Sequence, residues 1–140
     1  MDKGAEQLYD VAIKAHDVLF TANTVFPLVL FPDTLTIDRE KITIVHRAFF
    51  RIAKITSVQI KDVLNVEADI GPFFGSVHFV SRYFINNPQS INYLRRADAV
   101  KIQRLLQGYI IAEQKEIDTS KIPKDELRVL LDDLGQGVPD

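Results

Sequence analysis

The chain has 140 residues, 46% of them hydrophobic and 26% charged, with a net charge of −2, values that suit one globular domain with a sizeable core. It contains no cysteine, which excludes disulfides, thiolate metal sites and a cysteine nucleophile. Residues 24–114 hold 11 Lys/Arg against 8 Asp/Glu and the two ends together hold 6 against 11; this mildly basic centre between acidic flanks predicts no general nucleic-acid binding.

Residues 5–20, AEQLYDVAIKAHDVLF, predict an amphipathic helix. Leu8, Val11, Ala12, Ala15, Val18 and Leu19 recur at three- and four-residue spacings. Asp2, Glu6, Asp10 and Asp17 interrupt the start, so it does not read as a secretory leader. The most apolar window, residues 18–31, is shorter than the ~20 residues of a spanning helix and holds Asn23 and Pro27. The expectation is a soluble cytoplasmic chain, with a peripheral place at the membrane as the alternative.

Residues 25–31 form an apolar run pierced by Pro27, which predicts an edge strand. Residues 34–47, TLTIDREKITIVHR, then alternate apolar and polar on both sides of Asp38, the pattern of a hairpin with residues 38–41 as its turn. Residues 51–59 and 61–70 predict two more strands; Ile55 and Val58 differ in parity, a pattern that suggests a bulge. The stretch Gly71-Pro72-Phe73-Phe74-Gly75 predicts a reversal whose glycines serve the turn and whose phenylalanines fill the core, with presentation of the aromatics to a peptide as the alternative. Residues 75–82 and 90–94 predict the last strands.

Asp98 is the expected N-cap of a helix whose inner face carries Ala99, Ile102, Leu106 and Tyr109. Gly108 inside it costs ~1 kcal/mol against Ala, and close packing on a neighbour would be one reason to keep it. Residues 125–134 predict a short acidic helix with Leu127, Leu130, Leu131 and Leu134 as its contact face and Gly135 as its stop. Strands in one meander followed by a helix indicate an α+β fold.

Three segments carry a family resemblance: TLTIDREKITIVHR at 34–47, IKDVLNVEADIGPFFGSVHF at 60–79 and NYLRRADAVKIQRLLQGYI at 92–110. Together they resemble the bacterial pleckstrin-homology-like (PH-like) domains over residues 25–114. The resemblance implies orthogonal antiparallel sheets in a partly open β-barrel or sandwich, capped by a C-terminal helix. Residues 1–24, with the N-terminal helix, and residues 115–140, a linker and short helical tail, fall outside it. The wider superfamily includes binders of lipid headgroups and of peptides. Its phosphoinositide-binding members carry Lys/Arg-x-Arg on the second strand. Here that strand reads Lys41-Ile42-Thr43-Ile44, so that route is not expected.

Residues 41–61 hold Lys41, Arg47, Arg51, Lys54 and Lys61 without an acid, and residues 82–97 add Arg82, Arg95 and Arg96. Four guanidinium groups, Arg47, Arg51, Arg95 and Arg96, form a candidate anion or headgroup site. Phe49 and Phe50 form a candidate membrane or partner contact. The blander reading is a solvated basic face with both phenylalanines folded onto the core. A free sheet edge near residues 25–31 is a further candidate, as a place for a partner strand. His16, His46 and His78 lack ligand spacing, although His46 and His78 could meet across the sheet. No nucleophile elbow, phosphate loop or dinucleotide fingerprint is present. The expectation is therefore a non-enzymatic module with no catalytic, cofactor or metal residues. Its first-ranked role is protein–protein contact or self-association, and its second is peripheral binding to anionic lipid.

Overall fold

The structure, a computed structural model, describes Gly4 and residues 18–26, 28–29, 31–47, 53–83 and 88–136. The helix expected over residues 5–20 lies almost wholly outside these, as do Phe49, Phe50 and Arg51.

Among the described residues, seven strands and two helices follow in order: β1 (Phe20–Asn23), β2 (Thr34–Ile37), β3 (Lys41–Arg47), β4 (Ala53–Gln59), β5 (Val63–Ile70), β6 (Phe74–Ser81), β7 (Gln89–Arg95), α1 (Arg96–Gln114) and α2 (Lys124–Gln136). A 3-10 turn, Ile60–Asp62, joins β4 to β5. Strands β1–β4 form one antiparallel sheet and β5–β7 a second, each in sequential order. The α+β class is as expected, but the sheets stay open and do not close into a barrel. One isolated bridge, Thr24 to Leu94, joins β1's end to β7.

The hairpin forms where alternation placed it. Asp38, 2% exposed, accepts the N–H of Glu40 (2.7 Å) and of Lys41 (2.8 Å) on one carboxylate oxygen, so the turn's donors are satisfied by a side chain. Leu35, Ile37, Ile42, Ile44 and Val58 point inward from the first sheet, and Val66, Val77, Phe79, Ile91 and Leu94 from the second. The inward face of α1, built from Ala99, Ile102, Leu105, Leu106 and Tyr109, fills the space beside them.

Several expectations are corrected. Residues 20–23 pair with β2 as a strand, where the periodicity carried the helix to Phe20. The described residues among 25–31, namely 25, 26, 28, 29 and 31, do not lie in an edge strand, and those after Val25 form turns and bends. No bulge interrupts β4: Ile55 and Val58 differ in parity because Ile55 faces solvent and Val58 the core. The register shifts lie instead in β5, between Val63 and Asn65, and between β6 and β7. Helix α1 starts at Arg96 directly from β7, with Arg95 in the cap position and no side-chain cap bond; Asp98 sits in the first turn, where its charge suits the helix N-terminus.

Helix α2 packs in cis against α1. Gly108 lies so close to α2 that an added Cβ would overlap the Leu131 carbonyl, and one at Gly135 would overlap the Arg104 carbonyl. Gly135 is thus a packing residue within α2, not its stop. Leu127 and Leu131 are buried, while Leu130, expected on the contact face, is 46% exposed. The connection is tied back by Arg39, whose Nη1 donates to the Thr119 carbonyl (3.2 Å). Within it, Asp118 accepts the Ser120 hydroxyl (2.6 Å) and N–H (3.0 Å), which hold its carboxyl below the usual range.

Gly108→Ala raises intrinsic helix propensity, yet it should destabilise the fold by ~1–3 kcal/mol, because overpacking against backbone outweighs propensity. Urea unfolding measures this; equal or greater stability would mean the helices do not approach this closely.

Candidate contact surface

Thr24, 5% exposed, is the polar centre of one end of the molecule. Its N–H donates to the Asp33 carbonyl (3.0 Å), and its Oγ1 accepts the Asp33 N–H (2.8 Å). The next residue, Val25, donates its N–H to the Tyr93 carbonyl (2.8 Å). Asp33 in turn accepts the Arg47 N–H (3.1 Å) and holds His46 Nδ1 (3.1 Å). Arg47 Nη1 donates to the Pro32 carbonyl (2.9 Å) and to Thr34 Oγ1 (2.7 Å). The ends of β1, β2, β3 and β7 are therefore bonded into one base for the 24–33 connection.

On that base stand large apolar side chains facing solvent. Phe26 is 66% exposed, Leu28 52% and Phe31 40%. Beside them is Tyr93, 50% exposed, and at the β5–β6 turn Phe73, 77% exposed. The turn adjoins Tyr93's end of β7, since Phe74 pairs with Arg95 and Gly75 with Leu94. Phe73 thus corrects the expectation that both phenylalanines of this turn fill the core; Phe74 is half-buried. Gly75 serves close packing: an added Cβ would stand 2.6 Å from that of Ala99. Gly71 closes the turn through its N–H to the Phe74 carbonyl (2.8 Å), without positive φ.

Tyr93 carries backbone strain. Its φ is 61°, a region that disfavours residues with a Cβ. The cause is a β-bulge: between the Gly75–Leu94 and Val77–Ile91 pairs, β7 holds one residue more than β6. The bulge re-aims the Tyr93 ring to solvent and turns its carbonyl toward Val25.

Arg95 and Arg96 are exposed at the junction of β7 and α1. Arg47 sits at the same end but beyond β1 and β2; three strand spacings put it ~14 Å away. The expected four-guanidinium clamp on a single anion is thus not what the described arginines form. Arg47 is a brace for the connection, while Arg95 and Arg96 face solvent. Arg96 continues into a basic groove of about 500 Å³ along α1 with Ala97, Val100, Lys101 and Arg104; Lys101 is within 3.4 Å of Asp132.

His46 and His78 do not meet. His46 is held by Asp33, and His78 in the other sheet by Asp69 (Nε2 to Oδ2, 3.0 Å). Ser76 Oγ also lies 3.4 Å from His78 Nε2. Serine and aspartate meet the same ring nitrogen, so the imidazole cannot be oriented through one nitrogen while activating a hydroxyl through the other. Among the described residues no three His, Asp or Glu side chains cluster as a metal site, and no helix is long and apolar enough to cross a membrane.

Compared with protein-family models, curated proteins and solved structures, the chain matches none.

Glycine at position 93 relieves the φ strain, so Tyr93→Gly should hold or raise stability, by up to ~1 kcal/mol, whereas Tyr93→Val should lose ~1–2 kcal/mol. Denaturant midpoints of the two variants check this; a large loss in Tyr93→Gly would show that the ring, although exposed, supports the fold.

Proposed function

We propose that the chain is a non-catalytic, PH-like module whose loop end binds an anionic membrane surface from the side. Support for the PH-like part is the antiparallel meander split into sheets of four and three strands, with a helix running straight on from the last strand. The observation that carries the membrane part is the set of five exposed apolar side chains, Phe26, Leu28, Phe31, Phe73 and Tyr93, beside Arg95 and Arg96. A buried Phe or Leu side chain gains ~1.5–3 kcal/mol relative to an exposed one. Each basic residue near an anionic leaflet adds ~1 kcal/mol. Partial burial of five such chains with two cations amounts to several kcal/mol, enough for reversible attachment. Of the acids near this end, Asp33 is held by His46 and the Arg47 N–H, Asp69 is held by His78, and Asp98 lies in the first turn of α1.

Protein–protein contact or self-association is the second reading, favoured by the free edge of β4, whose one described ladder partner is β3.

Vesicle co-sedimentation tests the first reading. Wild-type protein should bind anionic vesicles in preference to neutral ones, and more weakly as salt rises. Phe26→Ser/Phe73→Ser should lower affinity by roughly 100-fold, and Arg95→Glu/Arg96→Glu at least ~10-fold. Arg47 is unsuitable for this purpose because it braces the 24–33 connection. Absence of binding to anionic vesicles at low salt would refute the membrane reading.

A further inference from the structure

We propose that β4 is a self-pairing edge: two copies of the chain join through an antiparallel β4–β4 ladder with Ile55 opposite Ile55. The inference rests on the self-association reading and gives it a surface.

Two four- and three-stranded sheets have four edges, and three of them are guarded. β1 has only four residues and runs into the Thr24–Leu94 bridge, which occupies the same corner of β7. β5 carries Glu67 and Asp69 and a register shift between Val63 and Asn65. Charged side chains, prolines, bulges and short strands are how sheets discourage pairing with another chain. Of these β4 has only the single charge of Lys54. It is seven residues long, its register with β3 is unbroken, and its sequence, AKITSVQ, contains no proline, no acid and one lysine. No described hydrogen bond runs from its backbone to anything but β3. Alternate residues of an edge strand direct N–H and C=O outward, so β4 offers a row of donors and acceptors to an added strand.

The strand is complementary to itself. In an antiparallel pair that continues one sheet, only residues on the same face stand opposite one another. With Ile55 at the two-fold axis, Lys54 faces Thr56 and Ala53 faces Ser57, so no charge meets its like. Ile55 is 67% exposed, and its β3 neighbour Val45 is half-buried on the same outer face. The pairing therefore joins two short apolar stripes into one across an eight-stranded sheet. A five-residue ladder, 53–57 against 57–53, is smaller than the ~1,200 Å² typical of stable complexes, so the association is weak and concentration-dependent.

The absence of native cysteine makes the test direct. Ile55→Cys places the sole thiols of two chains opposite each other, with Cα atoms ~4.5–5.5 Å apart in either kind of antiparallel pair, inside the disulfide range of ~4.4–6.8 Å. Oxidation of the full-length protein should give covalent dimer at least ~10-fold faster than Val129→Cys on α2, whose position is 58% exposed and remote from β4. In sedimentation, wild-type protein should shift toward dimer as concentration rises. Ile55→Asp, which sets two carboxylates face to face, should weaken dimerisation at least ~10-fold with an unchanged unfolding curve. A dimer that survives Ile55→Asp, or cross-linking at position 55 no faster than at 129, overturns β4 pairing and leaves self-association standing. A strict monomer at every concentration overturns both.

Discussion

The knot of hydrogen bonds around Thr24 is what the rest of this end of the molecule depends on. An open sandwich has no closed ladder to fix one sheet against the other. Here a buried threonine exchanges two bonds with Asp33, and its neighbour Val25 bonds across to β7. The first sheet thereby gains a fixed position relative to the second at that corner. The same knot sets the root of the 24–33 connection and explains how Phe26, Leu28 and Phe31 are presented beside Tyr93. Asp33 extends it to His46 and to the Arg47 backbone, so one carboxylate ties the start of β2 to the end of β3.

The opposite requirement, covering the open side, falls to α1, and α1 is in turn covered by α2. The two helices meet through glycines on each, Gly108 and Gly135, each facing the other helix's backbone. Such an approach buries Leu127 and Leu131 and makes the C-terminal tail part of the fold rather than an appendage. Two of the surfaces left exposed after this packing are the aromatic loop end and the edge of β4. They are distinct surfaces with distinct chemistry. One combines apolar side chains with arginines, which suits an anionic interface; the other offers backbone groups with almost no charge.

Parts of this arrangement were legible in the sequence because one local cause decided them. The hairpin followed from strict alternation and from Asp38 at the turn, and the inner face of α1 from its helical spacing. β1 was not legible, since four residues are too few to show a period and Phe20 also continues the preceding helical pattern. An apolar run such as 25–31 shows hydrophobicity but not exposure, and the outward placement of Phe26, Leu28 and Phe31 follows from the Thr24 knot. Tyr93 gave no signal at all: its left-handed backbone arises from a bulge that exists only once β6 and β7 pair. The candidate arginines were recognised by residue type, but their separation across three strand steps follows from topology. Of that set, Arg51, Phe49 and Phe50 lie outside the described residues.

The central claim, that the loop end enters a lipid interface, is most directly tested at Phe73. The chain contains no tryptophan, so Phe73→Trp introduces a single fluorescent reporter at a position 77% exposed. With vesicles of anionic lipid carrying brominated acyl chains, the account predicts a blue-shifted emission and quenching by the bromines. Emission that stays at the wavelength of a water-exposed indole and is not quenched would contradict it.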